Sequence, residues 1–456
     1  MKYNTILLVL ILFLLQTPLF SQSDDSDDEE DEEVQSIVQE WRETILYGID
    51  SQIIELIDTL ESEREMALNN ELEELFQQTG NSELREKILS FFLAIDYSEA
   101  VDLPVQVLQT YEYFNESDSR LYLASISYIA DNEIATDQTR ELLMNVSELE
   151  HEAVASAAIR ALGTIGNEST VEHLFELFDD YDITDEIKSN IILAFGEIQT
   201  EDALFLLIDI LDNPHEEAIW RRFSCTSLGM IGNPEAIDPL VEAYREGDAM
   251  LRAYAIAALG EFSEDRVIPV ILQAMRDSNA RVRLAASEAL RREDAEEAVP
   301  MLQYKVERDP EESVRRSAIE TLAQIHSSQA IEYLHEYLLD DDKPDHLREV
   351  IVRSLINNDL SDSIPIFEQL LENVWEEDES RLREVLCRYL SLEEASGLQD
   401  IFALMLDHSE FTIQIHGLRG IRRNRFSSLK PRVENFTSEE YHPMVRRTAL
   451  AALEEL

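Results

Sequence analysis

Apolar residues recur along this chain at helical spacing, and one short pattern returns again and again. Its clearest copy is Val282-Arg283-Leu284-Ala285-Ala286-Ser287-Glu288-Ala289-Leu290. With Val282 as anchor, the equivalent residues are Leu84, Leu121, Val154, Ile187, Trp220, Leu251, Val314, Leu347, Leu382, Ile413 and Val445, at intervals of 31 to 37 residues. Eight residues past each anchor stands another apolar side chain: Phe92, Ile129, Leu162, Phe195, Leu228, Leu259, Leu290, Leu322, Leu355, Leu390, Ile421 and Leu453. Four residues past it the column is mostly small, as at Ala158, Ser224, Ala255, Ala286, Ala318, Gly417 and Ala449. Such an i, i+4, i+8 stripe predicts a helix whose one face lets a neighbouring helix approach closely.

A second apolar helix is expected between successive anchors, often opened by a proline: Pro104, Pro239, Pro269, Pro300 and Pro365. Proline suits a first turn because the N–H there has no intrahelical partner. One such pair cannot bury its apolar face alone, whereas stacked pairs share a continuous core. The predicted fold is all-α, an α-α superhelix of about 12 helical hairpins over residues 81–456. Before it, Ile37, Trp41 and Ile45, then Ile53, Ile54, Ile57 and Leu60, predict capping helices within 35–80.

The chain opens differently. Met1 to Ser21 carries Lys2, an apolar run from Ile6 to Leu15, Pro18 and a small Ser21, the pattern of a secretory signal peptide. The run is shorter than the ~20 residues of a spanning helix, and no Cys follows for lipid attachment. An exported protein is expected, periplasmic or extracellular, with no stable membrane insertion after cleavage. From Asp24 to Glu33 nine of ten residues are acidic, which predicts a disordered tether over 22–34.

Composition sharpens this picture. With 45% apolar residues but only 12 Gly and 12 Pro in 456, the chain can bury a large core yet lacks the turn-formers of an all-β protein. Its formal charge of -58 repels nucleic acid and anionic membranes. Cys225 and Cys387 fall on the same apolar column and read as core thiols.

Two further copies of the pattern, Leu251-Arg252, Ala255, Ala258-Leu259-Gly260 and Val154, Ala158, Ala161-Leu162-Gly163, give the form Val-Arg-x-x-Ala-x-x-Ala-Leu-Gly. It resembles the HEAT repeat family, in particular the short HEAT-like repeats also found in phycobilin lyases, from about residue 80 to the end. The resemblance implies a scaffold or adaptor that binds a protein partner along its concave face. A base follows nine of the twelve anchors: Arg85, Lys188, Arg221, Arg252, Arg283, Arg315, Arg348, Arg383 and Arg446. Five residues before the anchor eight repeats carry an acid: Glu116, Asp182, Glu246, Asp277, Asp309, Asp342, Glu377 and Glu440. These columns resemble the Arg and acid ladder of HEAT-like arrays, which implies a structural role.

An enzymatic alternative is a lyase or a metal-dependent hydroxylase using the groove. Deoxyhypusine hydroxylase, a HEAT-repeat enzyme, holds a di-iron centre on His-Glu pairs, and this chain has His151-Glu152, His215-Glu216 and His335-Glu336. Their registers relative to the anchors differ, so they are not expected to converge on one site. No Gly-rich phosphate loop, nucleophile elbow or His-Glu-x-x-His is present. The expectation is a protein without catalytic residues, cofactor or metal.

One feature departs from the acidic background. Six residues past the anchor stand Arg353, Arg388 and Arg419 in three successive repeats, and two residues past it stand Arg222, Arg316 and Arg447. Arg422, Arg423, Arg425, Lys430 and Arg432 form a basic cluster nearby. Two readings stay open: compensation of the chain's own carboxylates, or a strip that grips a partner's acidic segment, with Arg222, Arg316, Arg353, Arg388, Arg419 and Arg423 as candidate contacts. Leu456 follows directly on the last repeat helix, so no further helix is expected to cover Ala449, Leu450 and Leu453; either this end frays, or it docks on another copy of the chain or on another protein.

Overall fold

Helices form wherever the sequence presents an apolar stripe, and capping residues set many of their starts. The computed structural model describes residues 25–291, 295–377 and 380–456. The signal-peptide expectation and residues 22–24 of the expected tether lie outside them. Among the described residues there are 25 α-helices and no strand.

Among the described residues the contacts divide the chain into two compact units, residues 25–210 with 215–231, and residues 211–214 with the described residues from 232 on. Helices α1 (Asp25–Tyr47), α2 (Asp50–Glu63), α3 (Asn69–Gln78), α4 (Ser82–Ala94), α5 (Asp102–Leu108), α6 (Ser119–Asp131), α7 (Asp137–Ser147), α8 (Glu152–Ile165), α9 (Glu168–Asp179), α10 (Asp185–Ile198), α11 (Leu204–Asp212) and α12 (Ala218–Ile231) make up the first, except for the last turn of α11. The second holds α13 (Ile237–Glu246), α14 (Ala249–Leu259), α15 (Ile268–Ala274), α16 (Ala280–Ala289), α17 (Val299–Arg308), α18 (Glu312–Ile325), α19 (Ser328–Leu339), α20 (Asp345–Val374), α21 (Arg381–Leu390), α22 (Gln399–Leu406), α23 (Phe411–Asn424), α24 (Lys430–Asn435) and α25 (Pro443–Glu455).

Within the first unit the anchor-bearing helices α4, α6, α8, α10 and α12 stack in series, and α3, α5, α7 and α9 form the companion row. Helices α1 and α2 join the two rows by packing on α3 and α4, in the manner of another pair. In the second unit α14, α16, α18, the first arm of α20, α21, α23 and α25 stack in the same way. Eleven of the twelve anchors are buried; Trp220 is half-buried, donates its indole N–H to the Asp185 carbonyl at 3.2 Å and lies under Lys188. The position eight further on is buried in every repeat but the last, where Leu453 is half-buried and Leu450 is 54% exposed. Both cysteines are free and fully buried, in different units, and burial pushes each thiol up to about 12.

Two elements differ from the sequence reading. Helix α1 already begins at Asp25, so residues 25–33, expected as an unstructured tether, continue a helix whose Ile45 is buried. Extending an existing helix costs far less than nucleating one, and carboxylates are favoured at its N-terminal end. The second difference is α20, which joins an anchor-bearing arm and the next companion arm across a single non-helical residue, Asp359 (φ -147°, ψ 33°). Pro365 thus lies inside a continuous helical run. Among the described residues no helix is long and apolar enough to cross a membrane.

Candidate functional site

The expected ladder is built in two consecutive rungs. Arg252 on α14 donates from Nε and Nη2 to the two oxygens of Asp277, each at 3.0 Å, and Arg283 on α16 grips Asp309 in the same way at 2.8 Å. Each arginine reaches the acid that opens the next anchor helix, and each acid also accepts a backbone N–H, from Asn279 or Glu311. Lys305 adds a second cation to Asp309 at 3.1 Å. Burial opposes ionisation of Asp277 and Asp309, but these partners outweigh it and hold both carboxyls below the usual range.

Elsewhere the column is served differently. Arg348 turns back to Asp341 and Asp345 of its own repeat and donates to the Leu338 carbonyl. The turn before α20 starts two residues earlier relative to its anchor, and Asp340 takes over the capping of the Asp342 N–H. Arg383 donates to the carbonyls of Val374, Trp375 and Glu377 and pairs with Glu410. There His408 replaces the acid and its Nδ1 accepts the Glu410 N–H at 3.1 Å.

The six candidate arginines are divided between the two units. Arg222 on α12 belongs to the first unit and is engaged within the fold. Arg316 is held by Glu312 at 3.6 Å, and Arg423 stands 4.0 Å from Glu394. Arg422 pairs with Glu455 and Arg432 with Asp407 at 2.6 Å, so charge compensation describes most of the basic cluster. Arg353, Arg388 and Arg419 differ, because none makes an ion pair among the described residues. Arg388 lies over the Tyr389 ring at 5.0 Å.

Arg388 and Arg419 both act electrostatically on His416, a residue the sequence reading passed over. Burial lowers the His416 pKa to about 4, with the guanidiniums of Arg419 and Arg388 adding to the effect. Its Nδ1 lies 3.4 Å from the Ser391 hydroxyl. Arg419 also lines a depression of about 460 Å³ with Arg422, Arg423, Ser391 and Leu392. The only sequence signal for His416 is its place three residues past an anchor, where neighbouring repeats carry other residue types.

The His-Glu pairs serve separate local roles. His151 caps α8, its Nδ1 accepting the Val154 N–H, and its ring meets Phe114 edge-on. His335 lies 2.8 Å from the Ser363 hydroxyl, which donates to the buried Asp359 at 2.7 Å; His326 Nε2 sits 2.8 Å from the other Asp359 oxygen. This polar knot fastens the kink of α20 to α19. Burial lowers the His335 pKa, against the pull of Asp359 and Asp362.

Stacked helix pairs with small centres and an Arg-acid ladder define an α-solenoid repeat protein. The chain belongs to the spirochaete HEAT repeat protein family, which it matches over residues 45–452. No curated protein matches it in sequence. Among solved structures it is similar to the CpcE and CpcF complex of phycocyanin lyase from Nostoc sp., at 19% identity and a TM-score of 0.35, covering 52% of this chain and 94% of that one. It is similar to human deoxyhypusine hydroxylase at 15% identity and a TM-score of 0.27, over 64% of this chain and 98% of that one. Kap95p, solved with RanGDP, is similar at 12% identity and a TM-score of 0.45, over 99% of this chain and 72% of that one.

Proposed function

We propose that this protein is a non-catalytic binding scaffold of an exported complex, envelope-bound or secreted, and that it holds an acidic segment of a protein partner on the open face of α20, α21 and α23. The observation that carries the reading is that Arg388 and Arg419, at the same position on the stacked helices α21 and α23, are exposed and make no ion pair among the described residues, in a chain of 95 acidic and 37 basic residues. Adjacent like charges repel, and an anionic partner relieves that repulsion. Membership of a HEAT repeat family supports the scaffold role, since stacked repeats present long binding surfaces. The leader-like first residues support the exported setting.

Crosslinked capture in the exporting compartment tests this, comparing the full chain with an Arg388→Glu/Arg419→Glu variant. The double reversal should abolish capture of the acidic partner while leaving the helical circular dichroism and melting midpoint unchanged, as both side chains are exposed. Undiminished capture overturns the site. A stoichiometric metal or chromophore on the purified protein overturns the non-catalytic role, and an uncleaved cytoplasmic chain overturns the exported setting.

A further inference from the structure

Arg353, Arg388 and Arg419 occupy the same position, six residues past the anchor, on three anchor-bearing helices that stack in series, α20, α21 and α23. Packed helices lie about 8–10 Å apart, so an anion held by each arginine would recur at that interval. A polyproline II segment has about 3 residues per turn and a rise of about 3.1 Å, so every third side chain faces the same way at roughly 9 Å. An α-helix reaches a comparable interval only at every seventh residue, about 10.5 Å along.

The surroundings favour the extended form. Arg353 shares a depression of about 230 Å³ with Gln324 and Asn357, both exposed and with amides that make no hydrogen bond among the described residues. An extended backbone has N–H and C=O groups to offer these amides, whereas a helix interior has spent its own. Leu392, 52% exposed beside Arg419, gives an apolar intervening residue a place to rest.

We infer that the partner segment binds extended, with an acidic residue at every third position, one carboxylate per stacked repeat on Arg353, Arg388 and Arg419. This rests on the proposed acidic-partner reading and adds its spacing and conformation.

The test measures anisotropy of three labelled peptides titrated with the full chain at one ionic strength. One peptide has Glu at every third position among Pro and Ala; the second has the same composition with its Glu residues contiguous; the third is Ala-rich and helical with Glu at every seventh position. The first should bind about tenfold more tightly than the second, a difference of roughly 1.4 kcal/mol. Arg388→Gln, with unchanged circular dichroism, should remove that preference. Equal binding of the first two overturns the spacing but leaves the acidic-partner reading standing, and a preference for the third overturns the extended conformation. Binding of none of them overturns both.

Discussion

Asp309 and Arg388 show two opposite ways in which single residues carry charge here. The Asp309 side chain is fully buried, and Arg283, Lys305 and the Glu311 N–H satisfy it. Removing one partner of such a buried set leaves an uncompensated charge, which costs far more than the net worth of the pair. Arg388 is exposed, with its guanidinium over the Tyr389 ring. His416, on which both Arg388 and Arg419 act, has a pKa in the fold of about 4 against an ordinary value of 6.5. The unfolded chain therefore binds this proton first, so the contribution of neutral His416 to stability is complete above about pH 6.5 and declines as pH falls toward 4. In an NMR titration Arg388→Gln/Arg419→Gln should move the His416 midpoint upward, because two repelling cations are gone. A midpoint that stays put means burial alone sets it.

At the scale of elements, the stack depends on small residues where helices cross. A Cβ on Gly196 of α10 would stand 2.6 Å from the Ser227 Cα and 2.7 Å from its Cβ on α12, while the Ser227 hydroxyl donates to the Ile192 carbonyl at 2.7 Å. The obstruction is backbone, so the helices would have to part. Gly196→Ala should cost about 1–3 kcal/mol in urea unfolding, despite the better helix propensity of alanine. A gain in stability would show that α10 and α12 can slide apart freely. The kink at Asp359 is the other device at this scale. A buried carboxylate shared by Ser363 and His326 replaces the loop that separates helices elsewhere.

At the scale of the whole molecule the net charge opposes the local one. A charge of -58 repels an acidic peptide at long range, while arginine contacts act within a few ångströms. The screening length falls from about 30 Å at 0.01 M salt to about 10 Å at 0.1 M, which weakens the distant repulsion much more than the contact. Stopped-flow association of the every-third-Glu peptide should therefore speed up across that salt range. A steady slowing would mean that the arginines, not the acidic surface, dominate the approach.

What the sequence determined by itself is the repeat. Spacing within one helix is a local property, so anchors, small centres and the residues eight further on could be read directly, and all but Trp220 and Leu453 of the anchors and the residues eight further on are buried as their pattern requires. Likewise the ladder acids Asp277 and Asp309 could be named before their partners were seen. Which cation meets which anion was decided only by tertiary structure, because stacking brings together residues a full repeat apart and turn length sets their register. That is why Arg252 meets Asp277, why Arg383 pairs with Glu410 and why Arg423 stands near Glu394, whereas the Arg316–Glu312 pair lies four residues apart on one helix and needs no stacking. The same packing brought His416 under the influence of two guanidiniums and folded α20 at Asp359, since both follow from neighbours that the local spacing does not encode.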